Sequence, residues 1–304
     1  MNILFSNATD FWVPSFFLND SSYLVWSSLP VLFLFIILLL LSAWLVSYAT
    51  VIVYSVRKLH TNATWILMLI CVGWFECMIG MISIFPYKYG ILSLGDPSKA
   101  YHGYESMHVL EIEVTWKCAP LVIGTVLMWH YLGLLNGGIV CFVIERSFAT
   151  LLSSDYESKP RRWLFILLML NQQLAAIVMC VLFSFHILSL SAWLYINAFG
   201  FVIAIPYIFF IRHYNLHARN QMRLGNHRTN ISLAAKFQTD ENVRSMHIVT
   251  RMAVVAAAFD VVFLIVMILA MLDTPGVETF SQFTEIVLFF HRIGPCAICI
   301  WYTP

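Results

Sequence analysis

Charge is what this chain lacks. Asp, Glu, Lys and Arg together make up 11% of its 304 residues, while 61% are hydrophobic. Soluble domains carry roughly 25% charged residues, so a water-exposed globular surface is excluded. Residues 1–28 contain no Lys or Arg. The basic leading region of a secretory signal is therefore missing, and the first apolar run is expected to be a permanent span. Also missing are H-E-x-x-H, G-x-S-x-G and any phosphate-binding glycine loop, and with them any support for an enzyme. None of the seven cysteines has zinc-finger flanks, so neither a metal nor a cofactor is implied. A net charge of +1 offers no footing for nucleic acid. There is no internal repeat and no pair of Gly/Pro-broken helices in matching halves, which weakens a transporter reading.

What the chain does have is apolar blocks of about 20 residues or more, the length that crosses ~30 Å of hydrocarbon. The reading is an all-α membrane protein: an N-terminal segment at 1–28, then a bundle of seven transmembrane helices over 29–304, packed in a lipid bilayer. The spans are 29–54, 64–86, 118–144, 163–188, 192–211, 248–272 and 283–304. The stretch Trp163–Ile211 runs for 49 residues without Asp, Glu, Lys or Arg, too long for one crossing. A tight turn near Ser189-Leu190-Ser191 divides it, with Gly200 as an alternative break.

Orientation follows from the basic residues near the span ends. One set of loops holds thirteen Lys and Arg, among them Arg57, Arg161, Arg219 and Arg244; the opposite set holds Lys88, Lys99 and Lys117. The richer set faces the cytoplasm, which places the N-terminus outside. Asn7 and Asn19 head glycosylation tripeptides in this polar leader and are candidate acceptors. The turn between spans four and five is too short to form a lid. The outer surface is therefore assigned to residues 87–117, whose Glu105, Glu111 and Glu113, with Tyr101, Tyr104 and His108, make it acidic and aromatic. Part of that loop is expected to extend helix three outward.

Glu76, Asp260 and Arg292 fall well inside spans two, six and seven. Counted from the span ends, all three lie ~14–18 Å deep. A lone charge at that depth costs at least ~2.5–3.5 kcal/mol, so a buried cluster is expected. Arg292 is the only cation at that level apart from a protonated histidine.

At the inner end of span three stands Glu145-Arg146. The guanidinium is a fixed fork of donors suited to a carboxylate or to helix-end carbonyls. The pair resembles the Asp/Glu-Arg dipeptide of G-protein-coupled receptors, in which the acid holds the Arg at rest and releases it on activation. Ahead of span six, apolar positions 233, 234, 237, 243 and 246 recur at helical intervals, and Asp240 can support Arg244 four residues on. This predicts an amphipathic inward extension of helix six. Lys236, Phe237, Glu241 and Arg244 on it join Glu145 and Arg146 as the candidate surface for a cytoplasmic partner.

Three segments together carry a more specific likeness. They are Glu145-Arg146 with Phe148-Ala149-Thr150; Asp155-Tyr156-Glu157 with Pro160-Arg161; and Lys236-Phe237-Gln238 with Glu241-Asn242. In this order and placement, residues 24–304 resemble the nematode serpentine receptor class epsilon family. The resemblance implies a chemoreceptor in the plasma membrane of sensory neurons that binds an extracellular small molecule and couples to a heterotrimeric G protein. It names no ligand, and no ligand-binding residue is singled out. Span seven lacks Asn-Pro-x-x-Tyr, and span six has neither Trp nor Pro near its middle, so the switches of rhodopsin-like receptors are not carried over. The rival readings are a channel or transporter lined by Glu76, Asp260, Arg292, His130 and His291, and a receptor-like protein that does not signal.

Overall fold

The computed structural model describes residues 2–5, 9–13, 15, 17–20, 29–55, 61–96, 99–102, 110–112, 115–152, 162–185, 187–223, 233–271, 286–287 and 289–290. Within these, six helices are long and apolar enough to cross a membrane. They are α1 (Leu29–Ser55), α2 (Thr61–Lys88), α3 (Ala119–Leu151), α4 (Arg162–Ser184), α5 (Leu190–Arg223) and α6 (Leu233–Met271). The shortest, α4, has 23 residues and so reaches ~34 Å at 1.5 Å per residue. Phe33, Leu40, Trp44, Leu170, Val202, Phe210 and Ile265 are among many large apolar side chains left exposed. In water such a surface would aggregate; in hydrocarbon it is the solvated face.

The break between α4 and α5 falls between Ser184 and Leu190, a few residues ahead of the turn expected at Ser189-Leu190-Ser191, and Gly200 lies inside α5. Helix three runs past its expected inner end at 144 to Leu151. Glu145 and Arg146 are both good helix formers and do not stop it. Of the last expected span, only residues 286–287 and 289–290 are described, all helical. Phe289 among them is buried against Trp74 of α2 and Phe35 of α1.

α3 is the centre of the packing, with its most extensive contacts to α2 and α4. Close approach is possible because the contact points lack side chains. A Cβ added to Gly80 on α2 would meet the Gly124 carbonyl on α3 at 2.7 Å, and one added to Gly133 would meet the Ala176 backbone on α4 at 2.6 Å. Small residues at helix crossings are how membrane bundles gain van der Waals contact where lipid supplies no hydrophobic drive.

The end of the bundle that carries Lys88 and Lys117 is topped by short strands. β1 (Asn2–Phe5) pairs antiparallel with β2 (Thr9–Trp12) and parallel with β5 (Leu110–Ile112), and β3 (Phe17–Leu18) pairs antiparallel with β4 (Tyr101–His102). The expected outward extension of helix three amounts to one 3-10 turn, Trp116–Cys118. Leu110-Glu111-Ile112 instead alternates as a strand and pairs with Ile3-Leu4-Phe5. The N-terminal segment also touches both flanks of the bundle. Phe11 packs edge-on to Phe185 just beyond α4, while Asn19 bonds to the Tyr87 carbonyl at the end of α2.

Candidate functional site

Glu145 and Arg146 close on each other inside the C-terminal third of α3. The Arg146 Nε–H donates to Glu145 Oε2 at 2.5 Å and its Nη2 donates to Oε1 at 2.7 Å. Neighbouring residues on a helix diverge, so the fork is reached by two long side chains folding toward each other. The pair is fully enclosed, with 1% of the Arg146 side chain exposed and 0% of Glu145. Removing one partner of such a pair strands a buried charge and costs about 3–5 kcal/mol.

The turns around this clamp are wired to α5 and α6. Thr150 Oγ1 donates to the Arg146 carbonyl at 2.9 Å and accepts from Asn215 Nδ2 on α5 at 2.9 Å. The Ser147 hydroxyl donates to the Val143 carbonyl and lies 3.0 Å from the Tyr207 hydroxyl on α5. From α6, Asn242 Nδ2 donates to the Ala149 carbonyl at 3.1 Å, and Gln238 Nε2 donates to Asn242 Oδ1 at 3.2 Å. Three helices are thus bound by side-chain hydrogen bonds within two turns of Arg146. In an apolar surround each bond also spares its groups the cost of being left unpaired.

The structure divides the sequence-predicted coupling residues into two groups. Glu145 and Arg146 are interior; Lys236, Phe237 and Arg244 are exposed on α6, and Glu241 is half-buried. The extension of helix six ahead of residue 248 is present, since α6 is continuous from Leu233 to Met271. Its packed face differs from the apolar stripe expected. Val243 and Met246 are buried, but Phe237 points outward, and Gln238, Thr239, Asn242 and Ser245 turn in. Asn242 takes that face because α3 offers it the Ala149 carbonyl to bond, which an apolar side chain could not use, and Gln238 bonds Asn242 in turn. Sequence reasoning quoted Asn242 and Thr150 only as motif residues, without this role, and missed Asn215 and Tyr207. The i,i+4 spacing of Gln238 and Asn242 is the signal that could have found the role of Asn242.

At mid-depth Glu76 has a histidine partner. His130 Nδ1 on α3 lies 2.8 Å from Glu76 Oε1 on α2, and the Gln173 side chain on α4 bonds the same imidazole. Of the expected charge cluster, Arg292 and the side chain of Asp260 lie outside the described residues. Glu76 and Trp74 are two residues apart, which turns their side chains to nearly opposite faces of α2. Trp74 takes the face that meets Phe289. Neither His291 nor Asn7 is described.

Asn19 is placed by the backbone rather than left on a free surface. It takes a left-handed φ of 56°, which Asn tolerates better than most residues. Its Nδ2 donates to the Leu94 carbonyl at 2.5 Å and its Oδ1 accepts from the Leu94 N–H at 2.9 Å. The residue is 4% exposed. A glycan on that nitrogen would displace the bond to Leu94. Glu111 lies in β5, and Glu105, Glu113, Tyr104 and His108 of the same loop lie outside the described residues.

Six apolar helices, a buried Glu-Arg clamp near the end of the third, and polar ties from it to the fifth and sixth define a multi-pass membrane protein of the serpentine receptor kind. The Sre G protein-coupled chemoreceptor family matches over residues 1–304. The chain belongs to that family, which is one of chemoreceptors and not of enzymes. Among its relatives in Caenorhabditis elegans is serpentine receptor class epsilon-38, 24% identical over 298 residues that cover 95% of this chain and 80% of the relative. Serpentine receptor class epsilon-45 is 26% identical over 83% of this chain and 70% of its own length. Serpentine receptor class epsilon-31 is 25% identical over 98% and 83%.

Proposed function

We propose that this chemoreceptor family member sits in the plasma membrane, on sensory neurons by its resemblance, with its N-terminus outside. It binds an extracellular small molecule through the outer half of a seven-helix bundle and activates a heterotrimeric G protein at the Arg146 end. Asn7 is the candidate glycan acceptor of its outer segment. The observation that carries the coupling reading is the closed Glu145-Arg146 fork, buried and surrounded by hydrogen bonds to α5 and α6.

In this reading the fork is the resting state. Moving α6 away from α3 breaks the bond from Asn242 to Ala149, opens the turn beside Arg146 and frees the guanidinium to bond helix-end carbonyls of the partner. Lys236, Phe237, Glu241 and Arg244 form the rim of the opened surface. The Glu76-His130 pair lies beside α4 on the flank of the bundle, which disfavours a conduction path through these two residues.

The test needs no ligand. Guanine-nucleotide exchange on co-expressed G proteins is measured at matched surface expression for the wild type, Glu145→Gln and Arg146→Ala. Glu145→Gln weakens the clamp and raises basal exchange, and Arg146→Ala brings it to the vector-only level. Basal exchange that is equal in all three, together with an ionic current across the same cells, would replace receptor by channel.

A further inference from the structure

At the depth of Glu76 and His130 the surrounding medium is hydrocarbon, yet the two side chains are not sealed. His130 is 19% exposed and Glu76 26% exposed. Glu76 lies twelve residues from the Lys88 end of α2 and His130 eleven from the Ala119 end of α3, which puts both ~16–18 Å from that end of the bundle. The direction of their exposure follows from helix periodicity. Ile79 lies one turn from Glu76, Ile123 two turns from His130, and Leu170 and Ile177 one turn to either side of Gln173. All four are exposed. The three polar side chains therefore line a crease where α2, α3 and α4 meet, open sideways to the acyl chains and rimmed by aliphatics.

A pair needed only to join helices would be cheaper if enclosed, as Glu145 and Arg146 are, because a polar group facing lipid forfeits solvation. Glu76 also keeps acceptor capacity. Its Oε1 faces His130, while Oε2 carries no hydrogen bond among the described residues. From the aqueous side, the Lys117 end of the bundle is overlaid by β1–β5 and the Asn19 clip.

We propose that the Glu76-His130-Gln173 crease is a membrane-side binding site for an uncharged amphiphile that partitions into the bilayer and donates a hydroxyl to Glu76. A neutral head group is required because an ionic one would not leave the interface for a depth of ~16 Å in hydrocarbon. The aliphatic rim takes the chain, and the acid takes the hydroxyl. The proposal is independent of the coupling reading and makes no use of a G protein.

Purified receptor in lipid nanodiscs is illuminated with hexadecanol carrying a diazirine near its hydroxyl end, or with hexadecane carrying the diazirine at the same carbon. The labelled peptides are then mapped. The alcohol is expected to label the Ile79, Ile123 and Gln173 peptides about fivefold above the alkane, the ratio that one net hydrogen bond of about 1 kcal/mol supplies. Glu76→Leu with His130→Phe brings the alcohol down to the alkane level. Should that double variant fail to fold, Ile123→Trp fills the crease from the lipid side with the polar pair intact, and it has the same expected effect. Equal labelling by both probes in the wild type would overturn the site and leave a strut between helices. Cross-linking of two copies through Ile79→Cys at the expense of probe labelling would assign the crease to a second copy of the chain.

Discussion

Asn242 of α6 donates its side-chain amide to the backbone carbonyl of Ala149 on α3 at 3.1 Å, and both residues are buried. This bond holds the inner part of α6 against the turn that follows Arg146. The carbonyl stays in place when the side chain is changed, so the tie can be cut from one side without touching the Glu145-Arg146 fork.

Asn242→Leu removes the donor and leaves Gln238 without its partner at 3.2 Å. Each of the two buried hydrogen bonds lost costs on the order of 1 kcal/mol. A fall of a few degrees is expected in the melting temperature in detergent, which fits the usual effect of such a loss. If α6 moves outward in activation, basal nucleotide exchange rises at the same time. A lowered melting temperature with unchanged exchange would mark the bond as structural alone.

Two glycines separate packing from helix propensity. At Gly80 an added methyl meets the Gly124 carbonyl at 2.7 Å, whereas at Gly200 nothing lies within 4 Å. Gly80→Ala is expected to force α2 and α3 apart and to lower the yield of monodisperse protein in fluorescence-detected size exclusion. Gly200→Ala, in the interior of α5, should be neutral or stabilising by up to about 1 kcal/mol, because Ala is the better helix former. Equal behaviour of the two variants would count against the α2–α3 contact.

Of the two glycosylation tripeptides in the N-terminal segment, Asn19 has its amide nitrogen committed to Leu94. When the protein is expressed in animal cells, Asn7→Gln is expected to abolish the endoglycosidase-sensitive mobility shift, whereas Asn19→Gln leaves it unchanged. Asn19→Gln should also destabilise the outer end, since the longer side chain cannot reproduce the two-way bond to Leu94 from a left-handed backbone. A shift that depends on Asn19 would show that this clip does not form in the mature protein.

The helices were legible because lipid imposes a coarse rule. Charge-free blocks long enough to cross it have to be helices, and the 49-residue stretch from Trp163 had to break once. The inner ends were harder to place. Glu145 was read as marking the end of a span, which is not the end of a helix, and α3 continues to Leu151. The packed face of α6 was misjudged for a different reason. An apolar count ranks Phe237 as core and Asn242 as surface, and only the position of the Ala149 carbonyl reverses that order. The pairing of β1 with β5 joins residues 3–5 to 110–112. No local pattern announces a contact between segments that far apart in the chain.

Lys236 and Arg244 test the rim of the coupling surface. Both are exposed on α6, outside the hydrogen-bonded contact with α3 and α5. Surface changes of this kind usually alter stability by no more than about 0.5 kcal/mol. Lys236→Glu with Arg244→Glu should therefore leave folding and cell-surface levels as they are. A G protein that approaches this rim with acidic groups would then meet repulsion in place of attraction. Exchange driven by the Glu145→Gln background is expected to fall at low ionic strength and to recover in part as salt is raised, because screening acts on exposed charges over about 10 Å. Phe237→Ala, which removes an exposed apolar contact and no charge, should weaken exchange without that salt dependence. If the charge reversal has no effect at any salt concentration and Phe237→Ala has none either, the extension of α6 lies against the lipid headgroups, and coupling is confined to the turn around Arg146.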